Sequence, residues 1–169
     1  MVEANSMTEA RVAVHPEPVW RDRSNIIVTW AIDDRLGTDI SSEQLWARWV
    51  DDRHFELCCI PFFADDLALG DVVETDSTFR IERVSVASGR FVFRVYFNGS
   101  GQPKDKVTRE LAELGALLEW YSAGMLVVDA RDLAHAQVIA DFLRSREDAD
   151  ELMYESGKTE PGDRATRNG

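Results

Sequence analysis

Between residues 25 and 97, apolar side chains recur with a period of two, the spacing of strands that bury one face. Ile26, Ile27, Val28, Trp30 and Ile32 form a β-rich run ended by Asp33-Asp34 and Gly37. Leu45, Ala47 and Trp49 then share one face, with Gln44, Trp46 and Arg48 on the other, and Asp51-Asp52-Arg53 makes a turn. Phe55, Leu57 and Cys59 alternate with Glu56 and Cys58 on the returning strand, which Pro61 ends. Residues 62–70 lack this alternation but are rich in Phe and Leu, so they predict a loop that caps a core. Strand signal resumes at Asp71-Val72-Val73-Glu74. Phe79 and Ile81 have one parity whereas Val84 and Val86 have the other, and this one-residue slip predicts a β-bulge near Glu82–Arg83. Short, bent, antiparallel strands around a small core predict an SH3-like β-barrel over residues 25–89.

The pattern changes after Ser88-Gly89. Phe91, Phe93, Val95 and Phe97 alternate with Arg90, Val92, Arg94 and Tyr96 in a clear strand. Val107, Leu111, Leu114 and Leu118 recur at helical spacing, with Pro103 placed in the first turn where its missing N–H is harmless. Trp120-Tyr121 and Met125–Val128 are short strands around Ala123-Gly124. A second helix runs from Arg131 to Arg146, with Leu133, Ala136, Ile139, Ala140 and Leu143 inward, and Leu152-Met153-Tyr154 supplies a last strand. The order β-α-β-β-α-β over residues 90–156 predicts a ferredoxin-like domain whose helices cover the Phe91, Phe93, Val95, Phe97 stripe. The expected fold class is therefore α+β: an SH3-like barrel followed by a ferredoxin-like domain. Residues 1–24 read as a flexible arm pinned by Val19 and Trp20, and 157–169 as a disordered polar tail.

Charge sharpens this division. The 169 residues carry 31 acidic and 19 basic side chains, a net charge of −12. Residues 25–89 hold thirteen acids and five bases, net −8, whereas residues 90–144 hold seven of each. Neutralising phosphates takes Lys and Arg, so the front segment is a poor nucleic-acid binder, and the same argument disfavours an anionic membrane surface. A basic protein partner is favoured, because an acidic face accelerates its encounter. Residues 1–10 lack an apolar signal core and no apolar run approaches ~18 residues, so a cytoplasmic location is expected.

Several blocks resemble one known family. Leu57-Cys58-Cys59-Ile60-Pro61-Phe62-Phe63-Ala64, Leu67-Ala68-Leu69-Gly70-Asp71-Val72-Val73, Ser88-Gly89-Arg90, Leu114-Gly115-Ala116-Leu117-Leu118-Glu119-Trp120 and Tyr154-Glu155-Ser156-Gly157 are similar to the bacterial family catalogued as domain of unknown function 4265. The likeness covers residues 43–157. It implies a bacterial origin and a shared fold, and it carries over no catalytic residues.

Candidate chemistry is sparse. Asp33-Asp34, Asp51-Asp52 and Asp65-Asp66 are adjacent pairs at turns, where solvation keeps both carboxylates from dividing acid and base roles. Asp65, Asp66 and Asp71 flank the apolar loop and could meet on a cation or on a partner's basic side chain. His15, His54 and His135 are scattered. His54 and Cys58 share a strand face but lie ~13 Å apart along a strand, too far for proton transfer. Cys58 and Cys59 lack the spacing of a zinc site and read as buried, reduced thiols. Gly99-Ser100-Gly101-Gln102-Pro103-Lys104 precedes a helix without completing a phosphate-binding loop. The strand from Gly89 to Tyr96 has aromatics as an RNA-recognition strand does, but most should face the helices.

With no catalytic set, no metal and no cofactor indicated, the expected function is a non-enzymatic module that binds a basic protein. An immunity protein neutralising a basic toxin is one form of it. The candidate partner-binding residues are Asp51, Asp52, Asp65, Asp66, Asp71 and Trp46, since exposed Trp beside carboxylates suits a binding hot spot. The alternative is a small-ligand regulatory domain with a pocket between barrel and sheet lined by Arg90, Arg94 and Tyr96. A hydrolase would need a converging acid and base that the sequence does not place.

Overall fold

In the computed structural model, which describes residues 11–33 and 39–157, alternating apolar runs assemble into two sheets, and two helices lie on the second. The front sheet contains β1 (Arg11–Ala13), β2 (Ile26–Ala31), β3 (Ile40–Asp51), β4 (His54–Leu57), β5 (Val72–Thr75) and β6 (Ile81–Val86). Its twelve-residue β3 pairs with β2 on one side, and with β1 and then β4 on the other. The sheet curls around Val28, Leu45, Ala47, Phe55, Leu57, Val73 and Ile81. The slip in apolar parity is a bulge, and it occurs twice. Val72 faces Val86 but Val73 faces Val84; Glu74 faces Arg83 but Thr75 faces Ile81. Ser85 and Glu82 are the extra residues of β6, and each increases the local bend.

The curl stops short of the expected closed barrel. Outside the named strands, Thr29 bridges Arg80, and the Thr29 N–H donates to the Phe79 carbonyl at 2.9 Å. Most of β6 is exposed, so it has no apolar stripe with which to zip onto β2. Among the described residues, the expected arm is also more ordered than its polar sequence suggested. β1 pairs in parallel with β3, and Ala13, His15 and Pro18 are buried. Residues 1–10, Asp34, Gly37 and residues 158–169 lie outside the described residues.

The rear sheet has the order β10-β7-β9-β8, all antiparallel: β7 (Phe91–Tyr96), β8 (Leu117–Ser122), β9 (Met125–Ala130) and β10 (Met153–Ser156). Helix α1 (Lys104–Glu113) connects β7 to β8, and α2 (Leu133–Asp148) connects β9 to β10. Phe93, Val95, Phe97, Leu126 and Val128 meet Val107, Leu111, Ile139 and Leu143 of the helices in one dry core. Asp132 caps α2 by accepting from the His135 N–H at 2.8 Å.

Helix α1 ends earlier than its apolar spacing predicted. Gly115 takes a φ of 84°, open to glycine and costly for other residues. The Gly115 N–H donates to the Ala112 carbonyl and the Ala116 N–H to the Leu111 carbonyl, the two bonds of a Schellman cap. His135 reinforces this end, its Nε2 donating to the Leu114 carbonyl at 2.7 Å. Leu118 therefore belongs to β8.

Candidate functional site

The loop between β4 and β5 fills the space between the two sheets. Ile60, Phe62, Ala68 and Leu69 pack on Val92, Met125 and Val127, which line the rear sheet's second face. A chain that runs irregularly through a core must satisfy its N–H groups without a strand partner. Two buried carboxylates do so. Glu43 sits on the inner face of β3 beside Leu45; its Oε1 accepts from the Phe62 N–H at 2.6 Å, and its Oε2 from the Phe63 and Ala64 N–H groups at 3.0 Å. Glu119 of β8 accepts from the Ile60 N–H at 2.5 Å.

His15 lies between these carboxylates. Its Nδ1 is 2.8 Å from Glu119 Oε1 and its Nε2 is 2.8 Å from Glu43 Oε1. Carboxylates only accept, so both ring nitrogens donate and the ring is an imidazolium. Burial works against that charge, but the hydrogen bonds to the Glu119 and Glu43 carboxylates outweigh it and raise the pKa far above the ordinary 6.5. The ring also stacks on Phe62, with centroids 3.9 Å apart and planes within 2°. The Trp46 indole N–H donates to the His15 carbonyl at 3.1 Å, fixing the segment from outside. Thus one cation from the N-terminal segment ties a carboxylate of the front sheet to one of the rear sheet.

Burial raises the pKa of Cys59 and pushes that of Cys58 up to about 11, and both are free thiols. Neither is activated as a nucleophile. Among the described residues, no group of three or more His, Cys, Asp or Glu side chains is arranged to hold a metal ion. No helix among them is long and apolar enough to cross a membrane.

The residues singled out from the sequence fall in different places. Asp71 is fully buried and braces the loop by accepting from the Ala68 N–H at 2.9 Å and the Ser88 N–H at 2.8 Å. Asp65 pairs with Arg94 at 2.9 Å, and Asp66 has a φ of 61° while its N–H donates to the Gly157 carbonyl. Asp51 and Asp52 are exposed at the β3–β4 turn. Asp51 is held below the usual carboxylate range by a hydrogen bond from His54 and one from the Arg53 N–H. Trp46 is half-buried, with the Arg21 guanidinium 5.6 Å from its ring.

Arg90, Arg94 and Tyr96 do face the loop, but local partners occupy them. Arg90 forms a bidentate pair with Asp129 at 2.9 and 2.6 Å. Arg94 donates to the Phe62 carbonyl at 2.7 Å, to Asp65 and to Glu155. The Tyr96 hydroxyl donates to Glu155 at 2.8 Å, and its pKa is pushed up to about 12 by burial and then by that bond.

Two exposed aromatics escaped the sequence reading. Trp49 is 48% exposed and Phe79 38%, and both lean on buried Phe55, with ring centroids 5.7 and 5.8 Å away. Trp49 shares the inward parity of Leu45 and Ala47, but β3 runs past the edge of the core before Asp51. Phe79 has a φ of 63°, a strained conformation for a bulky residue. It is held there by the Thr29 N–H on its carbonyl and by its own N–H on the Asp76 carbonyl. The parity pattern placed Trp49 with the core, and nothing in the sequence signals the turn geometry at Phe79.

Residues 43–154 match the model of the family described as "Domain of unknown function (DUF4265)". The span includes Glu43 and Glu119 and excludes His15. A solved structure described as "Novel crystal structure of a hypothetical protein from Neisseria gonorrhoeae" is similar in fold, with a TM-score of 0.66 and 22% identity over 79% of this chain and 96% of that one. No curated protein matches the chain.

Proposed function

The chain belongs to that family, and from this premise we propose that it is a non-enzymatic module that binds a basic protein partner through its acidic front sheet. The observation that carries the reading is the exposed pair Trp49 and Phe79 on Phe55, beside the acidic turn Asp51-Asp52. Large aromatics that stay exposed while fixed by neighbours suit anchors of an interface, and carboxylates near them select a cationic partner. The strain at Phe79 fits the same use, since costly backbone conformations gather where a surface must be pre-shaped. An immunity protein that masks the basic active site of a toxin has these requirements, charge and shape without a reacting group. In this reading the front half is an SH3-like platform and the rear half a ferredoxin-like support. Trp46, Asp65 and Asp66 belong to the wider acidic surface, and Asp71 supports it from inside.

Biolayer interferometry against small basic proteins and Lys/Arg-rich peptides, at low and near-physiological salt, tests this. We expect association that weakens with salt and that Trp49→Ala reduces by roughly thirtyfold, as for a hot-spot residue. Binding to no basic partner, or binding indifferent both to Trp49→Ala and to the pair Asp51→Asn and Asp52→Asn, would reject it.

A further inference from the structure

An open groove of about 650 Å3 lies between α1 and the edge strand β8, on the helical side of the rear sheet. It is separate from the buried ion network and from the acidic front. Thr108 and Ala112, one helical turn apart on α1, face Trp120 of β8 across it, with Ala123 at the turn beyond. These side chains are small and leave the groove open beside the indole.

Its lining is selective. Lys104 and Arg109 supply two cations and Asp105 one anion, leaving a positive site in a chain of net charge −12. Among the described residues Arg109 has no ion-pair partner. The Lys104 ammonium donates to the Ala123 carbonyl at 2.5 Å, which leaves two of its three protons for a ligand. Ser122 Oγ accepts from the Gly124 N–H at 3.3 Å and keeps its own proton to donate. Thr108 has no such freedom, because its hydroxyl donates to the Lys104 carbonyl. Phe97 braces the Trp120 ring with centroids 5.9 Å apart, so the aromatic surface is fixed in place.

The geometry points to a binding site for a small planar aromatic anion, whose ring stacks on Trp120 while Arg109 and Lys104 receive its carboxylate or phosphate. Stacking supplies the apolar contact, and the guanidinium fork matches either anionic group.

Adenosine monophosphate and indole-3-acetate are the probes, one carrying phosphate and the other carboxylate. Adenosine, indole, inorganic phosphate and acetate are the controls that lack charge or ring. Titration followed by amide NMR is expected to give saturable shifts at Thr108, Arg109 and Ser122 with one or both anions. Calorimetry is expected to show at least tenfold weaker binding of each control. Arg109→Ala, an exposed change that leaves the fold intact in its own amide spectrum, should weaken the anion by about tenfold or more. Four results would each overturn the assignment: no shift at those amides at about 1 mM probe; a neutral ring binding as tightly as its anion; a ringless anion doing so; or full affinity in Arg109→Ala.

Discussion

The rear sheet buries both faces, and it does so with different material. Under α1 and α2 lie Phe93, Val95, Phe97, Leu126 and Val128, and the contact is dry. Under the β4–β5 loop, Val92 and Val127 share the face with Arg94, Glu119 and Asp129, all buried, and His15 and Glu43 come in from the front half. The helices satisfy their own backbone and need only apolar side chains below them. The loop cannot, so the N–H groups of Ile60, Phe62, Phe63, Ala64 and Ala68 take carboxylates sent into the core, and two of those three carboxylates share a cation. Irregular backbone at a buried junction therefore selects carboxylates where a helix selects leucines.

The sharpest break in this comparison is Glu43→Ala. It leaves three loop N–H groups and the His15 cation without their acceptor, and urea denaturation should show a loss of about 3–5 kcal/mol, with Glu119→Ala in the same range. On the dry face Leu126→Ala should cost about 2–5 kcal/mol by leaving a cavity, but that cost should not vary with pH.

That difference in pH dependence is the second test. The folded His15 has a pKa raised from 6.5 to about 12, so the network's contribution is complete below pH 6.5 and declines as pH rises toward 12. Between about pH 6.5 and 8, before unfolded thiols ionise, wild-type stability should fall with a slope approaching about 1.4 kcal/mol per pH unit from this group. His15→Gln should flatten that slope, and Leu126→Ala should keep it. Next in size is Gly115→Ala, which forces an alanine into the left-handed region and brings its Cβ 3.2 Å from Arg131 Nη1. About 1–2 kcal/mol should be lost, from the dry side alone. The smallest change is Arg83→Ala, which removes the exposed pair with Glu74 at 2.5 Å and should leave the unfolding midpoint where it is.

The dry face was legible because its information is local. The alternation of Phe91, Phe93, Val95 and Phe97 and the helical spacing of Ala136, Ile139, Ala140 and Leu143 place both partners of that contact, whereas Leu133, expected inward with them, lies in the first turn of α2 and is 61% exposed. Even there, Leu118 continued the helical spacing past Gly115, and only the left-handed turn shows why the helix stops. The wet face was not legible. His15 is 28 residues from Glu43 and 104 from Glu119, and no periodicity links such positions. Glu43 reads as one more acid in a segment of net −8, although it lies fully inside the core with Asp71. Charge counting treats interior and surface carboxylates alike, so the acidic surface is smaller than the count implied. Trp49 carried the parity of the core and still reached solvent, because strand length and core length differ.

The most direct test of the ionic junction is the imidazole 15N spectrum of His15, followed from about pH 6 to 10. Both ring nitrogens should remain protonated throughout, with no titration step. A transition to a singly protonated ring near the ordinary histidine pKa of 6.5 would contradict the account.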